Sequence, residues 1–267
     1  MSSIPDASVL NQGEIDLFRD NGYLVKDGFL NNGLVDRLTD CLNEAIERRK
    51  AGFRSSMGAN YIDGANSRIM HILNDDPAFL DMVDYPPALS IARNLMEGDV
   101  HFHASDAFWE EEVCPEALPR WHMDGREDGY RLFRPTVPLL QLKVGYYLSD
   151  MSDPDQGNLI LVPQSHRRED EPPSEYLDGF DTFPGATQIC GVAGTAIFFH
   201  NAVWHTKGPA LRAGGRRLLL YYAYERPWMV GNEEHWQYPP EFYAGLTPER
   251  RKLFHGFVFD PPEDRPF

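Results

Sequence analysis

In the N-terminal third of the chain apolar residues recur at intervals of three and four, and after Gly98 they gather in short runs. Val35, Leu38, Leu42, Ala45 and Ile46 fall on one face of a helix over about 32–50. Ile15, Leu17 and Phe18 mark an earlier helix over about 12–21, with Asn11 placed to cap it and Gly22 to stop it. Tyr23-Leu24-Val25 then reads as a short strand, and two further helices fit 77–84 and 86–96, each opening near a proline. Beyond Gly98 the β-rich runs are 100–108, 139–148, 159–162, 196–200 and 218–224, separated by turns such as Asp153-Pro154-Asp155-Gln156-Gly157. Two long polar stretches, 125–138 and 164–188, interrupt them as candidate lids or plain surface excursions. A last helix is expected at 248–255, after Thr247-Pro248. Helices first and many short strands afterwards predict a β-barrel or jelly roll, cupin-like and mainly β, with flanking helices and an N-terminal helical buttress. The expected organisation is one domain over 1–267: a helical part at 10–97, a jelly-roll core at 98–226 and a C-terminal extension at 227–267.

Length and composition narrow the function more than the fold. A chain of 267 residues can bury one substantial core without a second domain. The 41 acidic residues outnumber the 25 basic ones, for a net charge of −16, which repels phosphate backbones and anionic lipid and leaves a small molecule as the expected partner. Three widely spaced cysteines, Cys41, Cys114 and Cys190, fit neither a disulfide framework nor a thiolate metal site. No apolar run reaches membrane-spanning length, and the first residues lack the basic start and apolar stretch of a secretory signal. A cytoplasmic protein is expected.

The candidate chemistry begins at Trp121-His122-Met123-Asp124. In an extended chain residues two apart share a face, so His122 and Asp124 converge while Trp121 and Met123 turn away. An imidazole and a carboxylate so placed supply two corners of a facial triad, though a hydrogen-bonded surface pair has the same spacing. A third ligand must come from a strand adjacent in space, and two histidines with one carboxylate leave positions open on a six-coordinate iron. His205, in Trp204-His205-Thr206-Lys207-Gly208-Pro209, lies just past the apolar run at 196–199. Arg216 follows eleven positions later; pointing inward, its guanidinium suits the far carboxylate of a bound dicarboxylate, with Arg217 then facing outward as a solvated charge.

His122-x-Asp124, His205 and Arg216 together resemble the His-x-Asp…His…Arg arrangement of iron/2-oxoglutarate oxygenases. The chain looks like the phytanoyl-CoA dioxygenase family within them. The run from Gly13 to Val25 is similar to that family's N-terminal helix and strand, and Asp155-Gln156-Gly157-Asn158-Leu159-Ile160-Leu161-Val162-Pro163-Gln164-Ser165-His166-Arg167 to its NG-x-L…PGSH-R segment. The chain departs from the pattern at Gln164 where Gly is usual, at Ala210 where Asn is frequent, and at Lys207 where a small hydroxyl residue is common. The resemblance implies a double-stranded β-helix, iron(II) held by His122, Asp124 and His205, 2-oxoglutarate as cosubstrate with O₂, and succinate and CO₂ as coproducts. It places 2-oxoglutarate on Arg216, with Gln141 as a further contact and Lys143 sharing the Gln141 face. Asp124 fills the position that related halogenases leave open for chloride, so the expected reaction is hydroxylation of an unactivated C–H in a small or medium-sized metabolite.

Two other readings stand beside this one. His101-Phe102-His103 also puts two imidazoles on one strand face, as in a cupin metalloenzyme that needs no 2-oxoglutarate, but no glutamate follows at the expected distance. The other is a jelly-roll binding domain without catalysis, which has no reason to keep all four site residues. His200 competes for the third ligand position with a less suitable spacing to Arg216, and His166 reads as a turn-holding residue.

Overall fold

The computed structural model describes residues 10–50, 61–63, 66–110, 121–124, 133, 137–168, 183–210, 215–229, 238 and 240–254. Most of the two long polar stretches lies outside these residues.

Helix α1 (Gln12–Asn21) opens on a capping box, in which the Asn11 side chain accepts from the Glu14 N–H and the Glu14 carboxylate accepts from the Asn11 N–H. Gly22 ends it in the left-handed region at φ 82°. Strand β1 (Tyr23–Lys26) leads to α2 (Asn32–Lys50), which buries Val35, Leu38, Leu42, Ala45 and Ile46. The short strands β2 (Tyr61–Asp63) and β3 (Asn66–Met70) follow, then α3 (Pro77–Asp81) and α4 (Pro86–Leu95), both with proline in the first turn. The β-rich half contains β4 (His101–Glu110), β5 (Gln141–Tyr147), β6 (Leu159–Leu161), β7 (Thr187–Ile189), β8 (Ala196–His200), β9 (His205–Lys207) and β10 (Arg217–Glu225). Two short helices, α5 (Pro240–Ala244) and α6 (Pro248–Arg251), come last.

Ten strands form two antiparallel sheets among the described residues. The larger runs β1-β8-β5-β10-β4-β3-β2 and the smaller β7-β6-β9. Strand alternation gives the larger sheet two apolar faces. Leu142, Val144, Tyr146, Phe198, Leu218, Leu220, Tyr222 and Tyr224 pack with the helices, against residues such as Leu38, Ile46, Phe79 and Ile91. Tyr147, Ile197, Phe199, Leu219 and Tyr221 turn the other way and pack with Leu159, Leu161 and Ile189 of the smaller sheet. This second cluster lines the barrel interior of a double-stranded β-helix, with the helices buttressing the outer face.

Candidate metal centre

β9 delivers His205, and the short segment 121–124 delivers His122 and Asp124. The two pieces are stitched by a two-residue antiparallel bridge. His122 N–H donates to the His205 carbonyl at 3.0 Å, and His205 N–H donates to the His122 carbonyl at 2.9 Å. Paired residues of a bridge point to the same side, so the imidazole centroids lie 4.2 Å apart. Asp124, two residues on, shares that side, while Trp121 and Met123 are buried in separate apolar clusters. One ligand atom from each of His122, Asp124 and His205 falls within 4.8 Å of the others; this is the only such group among the described residues.

The local hydrogen bonds prepare these groups for a cation. His205 Nδ1 lies 2.9 Å from the Val203 carbonyl, an acceptor only, so Nδ1 carries the proton and Nε2 presents its lone pair. Nε2 stands 3.7 Å from Asp124 Oδ2. Burial, then the neighbouring His122, hold the His205 pKa down at about 3, so the ring is neutral in ordinary buffers. For Asp124, burial works to raise the pKa, but Lys143, His205 and His122 outweigh it and hold the carboxyl below the usual range. Oδ1 accepts from Lys143 Nζ at 3.0 Å, whereas Oδ2 is buried with no hydrogen-bond partner. A buried, ionised carboxylate oxygen left unpartnered beside two imidazoles is costly unless a cation completes it. The donor set therefore fits a divalent transition metal, with coordination positions left for other ligands.

The arginine expected at the far end of the site needs correction. Arg216 is exposed on the helical side of β10, where it donates to Asn43 Oδ1 of α2 at 3.1 Å and lies 5.8 Å from the Trp109 ring. Arg217 is the inward residue, 4% exposed, in register with Glu110 and on the same face as Leu219 and Tyr221. The run that follows both arginines is apolar on both faces, so its residues do not reveal which parity faces the barrel, and a one-residue error exchanges the sides.

Gln141 is buried on β5, two residues from Lys143 and on its face. Lys143 reaches the metal centre directly, a role visible in sequence only as that shared parity. Its ammonium is 5.4 Å from the Tyr221 ring centre and 6.0 Å from that of Phe199. Burial pushes the Tyr221 phenol up to about 12; Arg217 opposes the shift, while Asp124, Asp106 and Glu110 add to it.

The other histidines lie elsewhere. His103 Nδ1 is 2.7 Å from the buried Glu225 carboxylate, and His101–His103 form no metal group among the described residues. His200 is outside the triad, with its ring 5.0 Å from that of His166. His166 Nε2 meets the Arg19 carbonyl at 3.0 Å and ties the turn at 165–167 to α1.

Two histidines and a carboxylate gathered in a double-stranded β-helix define the class of non-haem metal oxygenases. Within that class the chain belongs to the phytanoyl-CoA dioxygenase family, whose model matches residues 18–218. No curated protein sequence matches it. Among solved structures it is similar to HygX from Streptomyces hygroscopicus with nickel and 2-oxoglutarate bound, at 15% identity and TM-score 0.65, covering 86% of this chain and 91% of that one. The α-ketoglutarate-dependent carbocyclase SnoK from nogalamycin biosynthesis matches at 21% identity and TM-score 0.62, over 83% and 86% of the two chains. The epimerase SnoN from the same biosynthesis matches at 20% identity and TM-score 0.60, over 84% and 85%. These likenesses show the shared fold. Among the described residues no helix is long and apolar enough to cross a membrane.

Proposed function

We propose that the protein is an iron(II)- and 2-oxoglutarate-dependent oxygenase that hydroxylates a C–H bond of a small or medium-sized metabolite. The observation that carries this reading is the convergence of His122, Asp124 and His205 around a buried carboxylate oxygen without a partner. His122, Asp124 and His205 would hold the metal. Arg217 would take the far carboxylate of 2-oxoglutarate, in place of Arg216. When bound, iron(II) and 2-oxoglutarate together supply O₂ activation coupled to loss of CO₂ and formation of succinate.

The chain's own residues position and exclude. The Val203 carbonyl fixes the His205 ring so that Nε2 faces the centre. Lys143 occupies one oxygen of Asp124 and directs the other inward. Gln141 stands on the same wall as Lys143 and would offer its amide to a polar end of a bound molecule. Phe199, Tyr221, Leu161 and Leu219 form a dry wall that strengthens the electrostatic contacts made inside it. Asp124 supports hydroxylation, because a carboxylate ligand fills the position a halide would need. The solved neighbours include an epimerase and a carbocyclase, so product mass separates the reaction classes: gain of one oxygen marks hydroxylation, loss of two hydrogens marks cyclisation or desaturation, and a new product of unchanged mass marks epimerisation.

The test is anaerobic titration of full-length protein with iron(II) and 2-oxoglutarate, following the visible charge-transfer band of the chelate. A saturable band is expected in the wild type, and none in His205→Ala. Arg217→Ala should weaken 2-oxoglutarate about a hundredfold, the scale of two charge-assisted hydrogen bonds. Arg216→Ala should stay within about twofold, as an exposed contact. Folded, iron-loaded wild type without a band would refute the oxygenase reading.

A further inference from the structure

His166 and His200, which the metal centre leaves out, both line a second cavity on the helical side of the larger sheet. His200 ends β8 with the parity of Phe198, which packs with the helices. Phe199 turns the other way and sets its ring 5.0 Å from that of His205. β8 thus separates the cavity from the metal centre. The cavity holds about 420 Å³ between α1, the end of α4, the approach to β5 and the turn at 165–167, a size that suits a small organic molecule.

Ile15, Phe18, Leu95, Val137 and Leu139 give it apolar walls. Two groups of the lining keep a donor that no described residue accepts. His200 Nδ1 accepts the Ala202 N–H at 3.0 Å, so the ring proton sits on Nε2, which meets no acceptor among the described residues. Arg226, half-buried, donates from Nε to the Leu139 carbonyl at 3.1 Å and from Nη1 to the Met96 carbonyl. Its Nη2 donates to none of the described residues. The other polar groups nearby are engaged: Arg19 with Glu97 and Arg167 with Asp20, each at 2.8 Å, and His166 Nε2 with the Arg19 carbonyl at 3.0 Å.

A guanidinium held by two neutral carbonyls and left with an open N–H edge gains most from a charged acceptor, since a charge-assisted bond is roughly twice as strong as a neutral one. One such edge and one neutral imidazole N–H match a single carboxylate better than a phosphate dianion, and the walls match a hydrocarbon or aromatic body. We propose that this cavity is a second binding site, for an apolar monocarboxylate whose carboxylate is taken by Arg226 and His200 and whose body lies between α1 and α4. The site is separate from the metal centre and does not depend on what that centre catalyses.

The test is ligand-observed NMR titration of full-length, metal-free protein at about pH 7, where an ordinary carboxylic acid is ionised, with 4-phenylbutanoate and the uncharged 4-phenylbutan-1-ol as probes. The acid should bind one saturable site with a dissociation constant of about 1 mM or tighter. The alcohol should bind at least about tenfold more weakly, and Arg226→Gln should bring the acid to the alcohol's level. Ile15→Trp, which fills the cavity from the half-buried face of α1 and keeps every polar group, should abolish binding of both probes and preserves the test if Arg226→Gln does not fold. In the anaerobic complex with iron(II) and 2-oxoglutarate the acid should bind as in metal-free protein. No saturable binding of the acid overturns the proposal, as does equal binding of acid and alcohol, which would mark an apolar cavity without a carboxylate site. Binding that survives Ile15→Trp places the acid elsewhere and overturns it too, and binding lost in the iron(II) complex assigns the acid to the metal centre.

Discussion

His200 is 6% exposed, and its Nδ1 accepts the Ala202 N–H at 3.0 Å beside the ring of His166. Burial, then the neighbouring His166, lower its pKa from 6.5 to about 3. The folded state thus binds this proton less readily than the unfolded chain. The resulting stability is fully present above pH 6.5 and is lost as the pH falls toward about 3. Metal-free protein is therefore expected to melt at progressively lower temperature between pH 7 and about 4, in part through this residue. His200→Gln, which keeps an acceptor for the Ala202 N–H, should have a shallower slope in that window. Parallel melting curves for the two proteins would show that His200 does not carry the effect. The same scale separates Arg216 from Arg217. Both were plain in the sequence as neighbouring cations before an apolar run, but their faces depended on strand parity, which Asn43 on one side and Gly157 on the other reveal.

At the scale of elements, the loop from β5 to β6 supports the basic end of the site. Gly157 sits at φ 79°, and a Cβ there would lie 2.5 Å from Arg217 Cδ. Gly185 has the similar φ of 82° with open space around it. Gly185→Ala should cost about 1 kcal/mol, the price of a left-handed conformation alone. Gly157→Ala should cost about 2–4 kcal/mol in denaturant unfolding, because the clash adds to the strain. It should also weaken 2-oxoglutarate binding, since Arg217 must move; equal costs at the two sites would show that the Arg217 contact yields freely. The elements with strong local signals were legible in sequence: α1 by its Asn11 cap and Gly22 stop, α2 by its apolar stripe, β8 and β10 by their hydrophobicity. The strands β3, β7 and β9 were not. Each is three to five residues long with no distinctive pattern, and what makes it a strand is a partner remote in the chain.

For the whole molecule, a chain of net charge −16 sets Lys143 beside Asp124, and Arg217 and Lys207 beside Glu110. Ligands that bind only the folded barrel raise its stability by mass action. Iron(II) with 2-oxoglutarate at a hundred times its dissociation constant contributes about 2.7 kcal/mol, which should raise the melting temperature by about 5 °C or more. A chelator should reverse the gain, and His205→Ala should show none; an unchanged wild-type melting temperature would mean that the folded protein binds neither ligand. The sequence by itself determined which chemistry was available. His122, Asp124 and His205 carry that information in residue type and spacing, and the order of helices and strands follows from local periodicity and capping. Only the tertiary structure decided which side chains meet: that the 121–124 segment bridges to β9, that Lys143 holds Asp124, and that Arg217 faces inward with Glu110 and Lys207. Those pairings join residues 19 or more positions apart. They are set by strand register and by the side on which each strand turns its odd residues, properties of the assembled sheets rather than of any single run of chain.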